Sequence, residues 1–239
     1  MRLWPDLTAR SRADERMDDR SIRGPELVGA LRELRVINTL LLGFWPTLEG
    51  VVRLWSADGK PRRLTIVDVG AGSGDVNRMV LWWATWQRVD LHLILVDIHP
   101  DTCHVAAAYY ANEGRVTVVQ GDITRLPFRR CDVVTASFVL HHFVSEEIPG
   151  ILEELLSVAR LGVVVNDLHR HAFAWLFIAA ATRLLSRNRM MLSDAPLSVQ
   201  RGFRRADFVA LRSSPALRGI RFGWRPFFRY MVIVSGDRQ

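Results

Sequence analysis

Five short apolar runs between residues 64 and 167 alternate with segments of helical period, and that alternation leaves few folds open. The runs are LTIVDV (64–69), LHLILVD (91–97), VTVVQ (116–120), DVVTASFVL (132–140) and GVVVND (162–167). They lack the in–out polar alternation of a half-exposed strand and read as strands covered on both faces. Helices are expected between them, near 75–87, 100–112 and 145–160. This pattern predicts an α/β fold, a mostly parallel sheet with helices on both sides. Ahead of it, PELVGALRELRVINTLLL sets Leu27, Leu31, Leu34 and Leu41 on one helical face, and Pro46 starts a second helix through Trp55. Behind it, a helix is expected at 204–213 and a closing antiparallel hairpin from the runs around 217–223 and 227–234. The boundaries that follow are a flexible N-terminus (1–23), a helical cap (24–60) and the α/β domain (61–239), with an apolar lid insertion near 168–200.

The first strand runs into Val67-Asp68-Val69-Gly70-Ala71-Gly72-Ser73-Gly74-Asp75. Glycines there let the backbone turn tightly and approach a ligand without a Cβ between. The dinucleotide pattern would need a third Gly or Ala at 75 or 77, where Asp75 and Asn77 stand. An acid two residues before the first glycine sits poorly beside a pyrophosphate and suits a ligand bearing an ammonium and a sulfonium. The second strand ends at Asp97, placed to accept both hydroxyls of a ribose. The third ends in Gly121-Asp122-Ile123, where a carboxylate can accept from an adenine amino group.

VDVGAGSGD, LVDIHPD, GDITRLPF and CDVVTASFVLHHF, within roughly residues 60–235, resemble the class I S-adenosylmethionine-dependent methyltransferases. The resemblance implies a Rossmann-like fold with a seven-stranded sheet, and S-adenosylmethionine as cofactor. Its methionine part would meet Asp68, Gly70, Ala71, Gly72 and Gly74, and its ribose would meet Asp97. Adenine would lie at Asp122 between Ile98 and Ile123, and Ser137 would pass the reacting methyl. Trp82, Trp83 and Trp86 follow the glycine loop at near-helical spacing and read as core packing rather than a sulfonium cage.

Several acceptors are set aside by the residues present. No [DN]-P-P-[YF] follows the fourth strand, neither Cys103 nor Cys131 follows a proline, and the Asn166-Asp167 order is the reverse of the pair that holds a catechol enzyme's metal. No metal is expected. LHHFVSEE (140–147) is similar to the LHDW segment of phenol O-methyltransferases, in which the His removes the phenolic proton. His141 matches that His and His142 stands where the Asp would be, while His169, just past the fifth strand, is the third candidate base. MDDRSIRGPELVGALRELRVINTLLLG together with VVNDLHRH resembles bacterial methyltransferases associated with type III polyketide synthases. The expected function is O-methylation of a small lipophilic phenolic or polyketide-type acceptor. A C-methyltransferase of a quinone precursor and a non-catalytic adenosylmethionine-binding partner protein remain open.

Charge and hydropathy bound the setting. The 239 residues carry a net charge of +7, concentrated in 183–230, where eleven arginines face only Asp194 and Asp207. Such a basic third offers peripheral contact with a membrane, but it lacks the aromatic–basic interleaving of a nucleic-acid platform. The longest apolar run, Ala172 to Ala181, is about half of what a membrane span needs. No signal peptide is read at the N-terminus and the two isolated cysteines form no CxxC pair, so a cytoplasmic protein is expected, with peripheral contact to the membrane left open.

Overall fold

The computed structural model describes residues 5–19, 21–126 and 130–235. Two helices come first, α1 (Pro25–Leu40) and α2 (Trp45–Ala57). The α/β alternation then runs β1 (Arg63–Val69), α3 (Asn77–Gln87), β2 (Asp90–Asp97), α4 (Pro100–Tyr109), β3 (Val116–Gln120), β4 (Cys131–Ser137), α5 (Ile148–Val158) and β5 (Ala159–Leu168). Helices α6 (Ala172–Leu185), α7 (Arg189–Arg201) and α8 (Arg205–Leu211) precede the hairpin of β6 (Arg221–Arg225) and β7 (Arg229–Val234).

The seven strands are ordered β3-β2-β1-β4-β5-β7-β6, with β7 antiparallel to its neighbours and the other pairings parallel. The order reverses direction beside β1, between β1 and β4. Ligands of open α/β sheets bind at such a switch point, outside the carboxyl ends of the strands. Two layers of apolar side chains sandwich the sheet. One includes Leu152, Leu155, Phe203 and Phe208 with Val134 and Val163. The other includes Val51, Trp55, Val80 and Trp83 with Ile66 and Leu93. Trp83 meets Trp55 edge-on at 5.0 Å, whereas Trp82 and Trp86 are exposed and stack on each other at 6.4 Å. Of that trio only Trp83 is core.

Three segments differ from the expectations. Residues 132–140 do not continue as strand: β4 ends at Ser137, Phe138 takes a positive φ of 58°, and Leu140–His142 forms a 3-10 turn. Helix α7 has no counterpart in the sequence reading, because Pro196 inside it reads as a helix breaker. Its face closes against α1, where Met190 and Met191 join Leu27, Ala30 and Leu31 in a third apolar cluster. The segment before α1 lacks periodicity but is pinned by long-range polar contacts. Arg10 donates to the carbonyls of His141 and Phe143 at 3.1 and 2.9 Å, and Arg170 donates to that of Leu7 at 3.1 Å. The amide of Met17 donates to Asp194 at 2.9 Å.

Candidate active site

A cavity of about 690 Å³ opens at the carboxyl ends of the parallel strands. Of the residues singled out for the cofactor, Asp68, Gly70, Ala71, Gly72, Asp97, Ile98, Asp122, Ile123 and Ser137 line it. His141, His142 and His169 line it as well. Gly74 does not. Its φ is +73°, and a Cβ there would meet Leu95 at 2.7 Å and Tyr110 at 2.8 Å, so this glycine lets the loop pack against β2 and α4.

Gly72 is the position that bares the backbone. Its φ is +57°, a left-handed value that favours glycine, and a Cβ added there would meet no protein atom within 4 Å. Its N–H donates to Asp97 Oδ2 at 2.9 Å, and Oδ1 of the same carboxylate accepts from His99 N–H at 2.9 Å. Burial raises the Asp97 pKa against those two hydrogen bonds. The tip of β2 is thus tied directly to the glycine loop. Asp122 holds its own turn, accepting from Thr124 N–H at 2.9 Å.

Asp68 is almost fully buried and accepts from Thr135 Oγ1 and Asn77 Nδ2, both at 2.6 Å. Asn77 therefore has a positive task where it departs from the dinucleotide pattern. Burial pushes the Asp68 carboxyl up to about 7, the two hydrogen bonds pulling the other way and the carboxylates of Asp75 and Asp97 adding to the rise. A carboxyl held so near neutrality takes its charge readily when a cation arrives. The residues present fit S-adenosylmethionine: bare loop backbone, acids at three successive strand ends, and apolar Ile98 and Ile123 to flank a flat ring.

A cationic ligand favours ionised Asp68, so binding should expel a proton wherever that group is still protonated in the free protein. Cofactor affinity is expected to rise with pH up to about 7 and level off above it. Calorimetry in buffers of different ionisation enthalpy checks this: proton release on the acid side and none well above neutrality. No proton exchange at either pH would contradict it.

The histidines differ in what holds them. His141, 3% exposed, places Nδ1 2.7 Å from Asp167 Oδ1, while its backbone N–H donates to Oδ2 at 3.2 Å. Burial alone would raise the Asp167 pKa, but His141, the Leu168 N–H and His142 together outweigh it and hold the carboxyl below its ordinary value. An ionised carboxylate only accepts, so His141 Nδ1 carries a proton, and in the neutral imidazole Nε2 is the nitrogen with the lone pair. Parallel pairing of β4 and β5, with Ser137 opposite Asn166, brings the turn after β4 beside Asp167. His142 instead bonds Asp18 through Nδ1 at 2.6 Å. His169 leaves Nδ1 buried without a partner, and burial, assisted by His171 and two arginines, lowers its pKa to about 4. That makes His169 a poor proton acceptor. Ser137 Oγ is committed to Thr47 Oγ1 at 2.7 Å, and Asn166 Nδ2 donates to the same Thr47 at 3.0 Å, which fastens α2 to the sheet.

Glu15 and Asp167 enter the site without having been expected there. Glu15 is 4% exposed, accepts from Ser198 Oγ through Oε2 at 3.0 Å, and leaves Oε1 buried without a hydrogen bond, 3.7 Å from His141 Nε2. Burial pushes its carboxyl up to about 7 against the pull of His142. Arg201 braces the cluster through the carbonyls of His141, His142 and Ala13. One ligand atom from each of Glu15, His141 and His142 lies within 4.8 Å of the others, a spacing that a metal ion could also use. Beyond these polar groups the wall is apolar, formed by Leu34, Ile37, Leu41, Phe177, Ile178 and Met190, with the buried guanidinium of Arg229 among them.

Residues 66–162 match the family model of a methyltransferase domain. No curated protein matches the chain. Among solved structures it is similar to the plantazolicin methyltransferase bound to S-adenosylhomocysteine, at 14% identity and TM-score 0.64 over 87% of this chain and 89% of that one. The human N-acetylserotonin methyltransferase bound to S-adenosylmethionine gives 15% identity and TM-score 0.62 over 90% of this chain and 57% of that one. Magnesium protoporphyrin IX methyltransferase from Synechocystis PCC 6803 gives 18% and 0.54, over 82% and 84%. At such identities these are likenesses of fold. Residues 66–162, which carry the glycine loop and the strand-end acids, thus match a methyltransferase domain, and the seven-stranded sheet around them has the Rossmann-like methyltransferase fold.

Proposed function

We propose that the protein transfers a methyl group to the hydroxyl oxygen of a small lipophilic acceptor, of phenolic or polyketide type. The observation that carries this reading is the buried His141–Asp167 pair, whose imidazole lines the same cavity as the glycine loop and the apolar side chains. S-adenosylmethionine supplies an electrophilic methyl on a sulfonium. Asp167 fixes the imidazole in the tautomer whose Nε2 can accept the acceptor's proton, which would leave the oxygen as the oxygen–carbon bond forms, the sulfur–carbon bond breaks and S-adenosylhomocysteine departs. A phenol, ionising near 10, needs such a base at neutral pH. The remaining rate enhancement comes from holding the two reactants in line.

The apolar wall supports a lipophilic body on the acceptor, and the buried Arg229 guanidinium, its Nε without a partner, favours an acceptor that becomes anionic. The test is turnover of a series of alkylphenols with methyl-labelled S-adenosylmethionine, the product methyl being located by NMR. An ether methyl is expected, with KM falling as the alkyl chain lengthens. A carbon-bound methyl would assign C-methylation of a ring, and cofactor binding without product from any acceptor would assign a non-catalytic partner protein.

A further inference from the structure

Helix α6 is built inside out. Its buried positions are Ala174, Ala179 and Thr182, small or polar, with the Thr182 hydroxyl donating back to Ile178 O at 2.8 Å. Its outward stripe is Phe173, Leu176, Phe177, Ala180 and Leu184, spaced as one helical face. Phe173 is 69% exposed and Leu184 83%. A surface helix ordinarily turns its charged residues to water and its large apolar residues to the core. The stripe is a face awaiting an apolar partner.

Charge around the stripe identifies that partner. From residue 168 to 193 the sequence has no Asp or Glu, and Arg183, Arg187 and Arg189 are exposed at the C-terminal end of α6 and just beyond it. None of the three takes part in an ion pair among the described residues. A second copy of this chain fits poorly, because a two-fold contact through α6 would bring these arginines no acid from this segment. We infer that α6 lies in the interface of an anionic lipid bilayer, with its apolar stripe in the acyl boundary and the arginines at the headgroups. At 14 residues it is about 21 Å long. No helix among the described residues is long and apolar enough to cross a membrane, so α6 lies flat.

The stripe is continuous with the cavity. Phe177 is 54% exposed and also lines the cavity, as does Phe227 of the β6–β7 turn, 47% exposed. The docked face thus gives a lipophilic acceptor a route from the bilayer to His141 that avoids water. Only this route rests on the proposed acceptor; docking itself stands on the surface.

Co-sedimentation of the full chain with phosphatidylcholine vesicles, with and without phosphatidylglycerol, tests the inference. Binding is expected only with the anionic vesicles and should fall as salt rises. Arg183→Ser and Arg187→Ser should each weaken it roughly fivefold, and Phe173→Ser with Leu184→Ser should abolish it while S-adenosylhomocysteine binding is retained. Equal recovery with both vesicles, no recovery, or unchanged binding of the stripe variant would overturn it. So would a dimer, detected by light scattering, that the same variant dissociates. Turnover of a soluble short-chain phenol without vesicles reports separately on the proposed activity.

Discussion

Asp97→Ala is expected to weaken cofactor binding by about 1.5–3 kcal/mol, roughly ten- to hundredfold in affinity. Two losses combine in that number. The ribose loses a charge-assisted acceptor, and the Gly72 N–H loses the carboxylate that ties the glycine loop to β2. His99 N–H, at the start of α4, loses its partner as well. Asp97→Asn would keep one carbonyl oxygen but put an amide donor against one of those two N–H groups, so it should recover little of the loss. Titration calorimetry with S-adenosylhomocysteine measures the effect, with thermal unfolding of the free protein as the control for folding. Unchanged affinity would remove Asp97 from the cofactor site and with it the reading of the strand-end acids.

The sheet and the glycine-loop side of the cavity were legible because they are local in sequence. A strand covered on both faces is apolar nearly throughout, as LILV is and as IVDV is apart from the buried Asp68, and a left-handed turn at a strand end calls for glycine, as at Gly70 and Gly72. Gly74 shares the motif but serves packing, a distinction that only the positions of Leu95 and Tyr110 reveal. The acceptor half was less legible because its polar groups meet through long-range contacts. Glu15 reaches His141 from 126 positions away in a segment without periodicity, and the only local sign was its acidic character. Asp167 was read only as part of a reversed metal pair. Its role follows from the β4–β5 register, which sets the turn after Ser137 beside it. The helical period of 189–201 was masked by Pro196 and a polar outer face, though Asn188 was a readable N-cap, its Oδ1 accepting from Met190 N–H at 2.9 Å.

The second large effect concerns proton removal. His141→Ala is expected to lower kcat by about 10²–10⁴, with cofactor affinity nearly intact because the cofactor wall is built from other residues. His142→Ala and His169→Ala are the controls. His142 is turned to Asp18, and His169, with its pKa lowered to about 4, holds a proton weakly. Each control should cost less than about tenfold in kcat, as expected for groups outside the proton transfer. Asp167→Asn should approach the His141→Ala loss, since the amide can no longer enforce the Nδ1–H tautomer. Should the largest loss fall at His169, the base is there and the Asp167 pairing only secures the fold.

The most direct test of the account is the pH–rate profile of methyl transfer to one phenol, recorded side by side for the wild-type protein and His141→Ala. If His141 removes the acceptor's proton, the ratio of the two rates should shrink towards unity as pH approaches about 10, where the phenol ionises unaided. A His141→Ala loss that keeps the same size across the whole range would contradict the account, because it would mean that His141 acts by position or packing and not as the base.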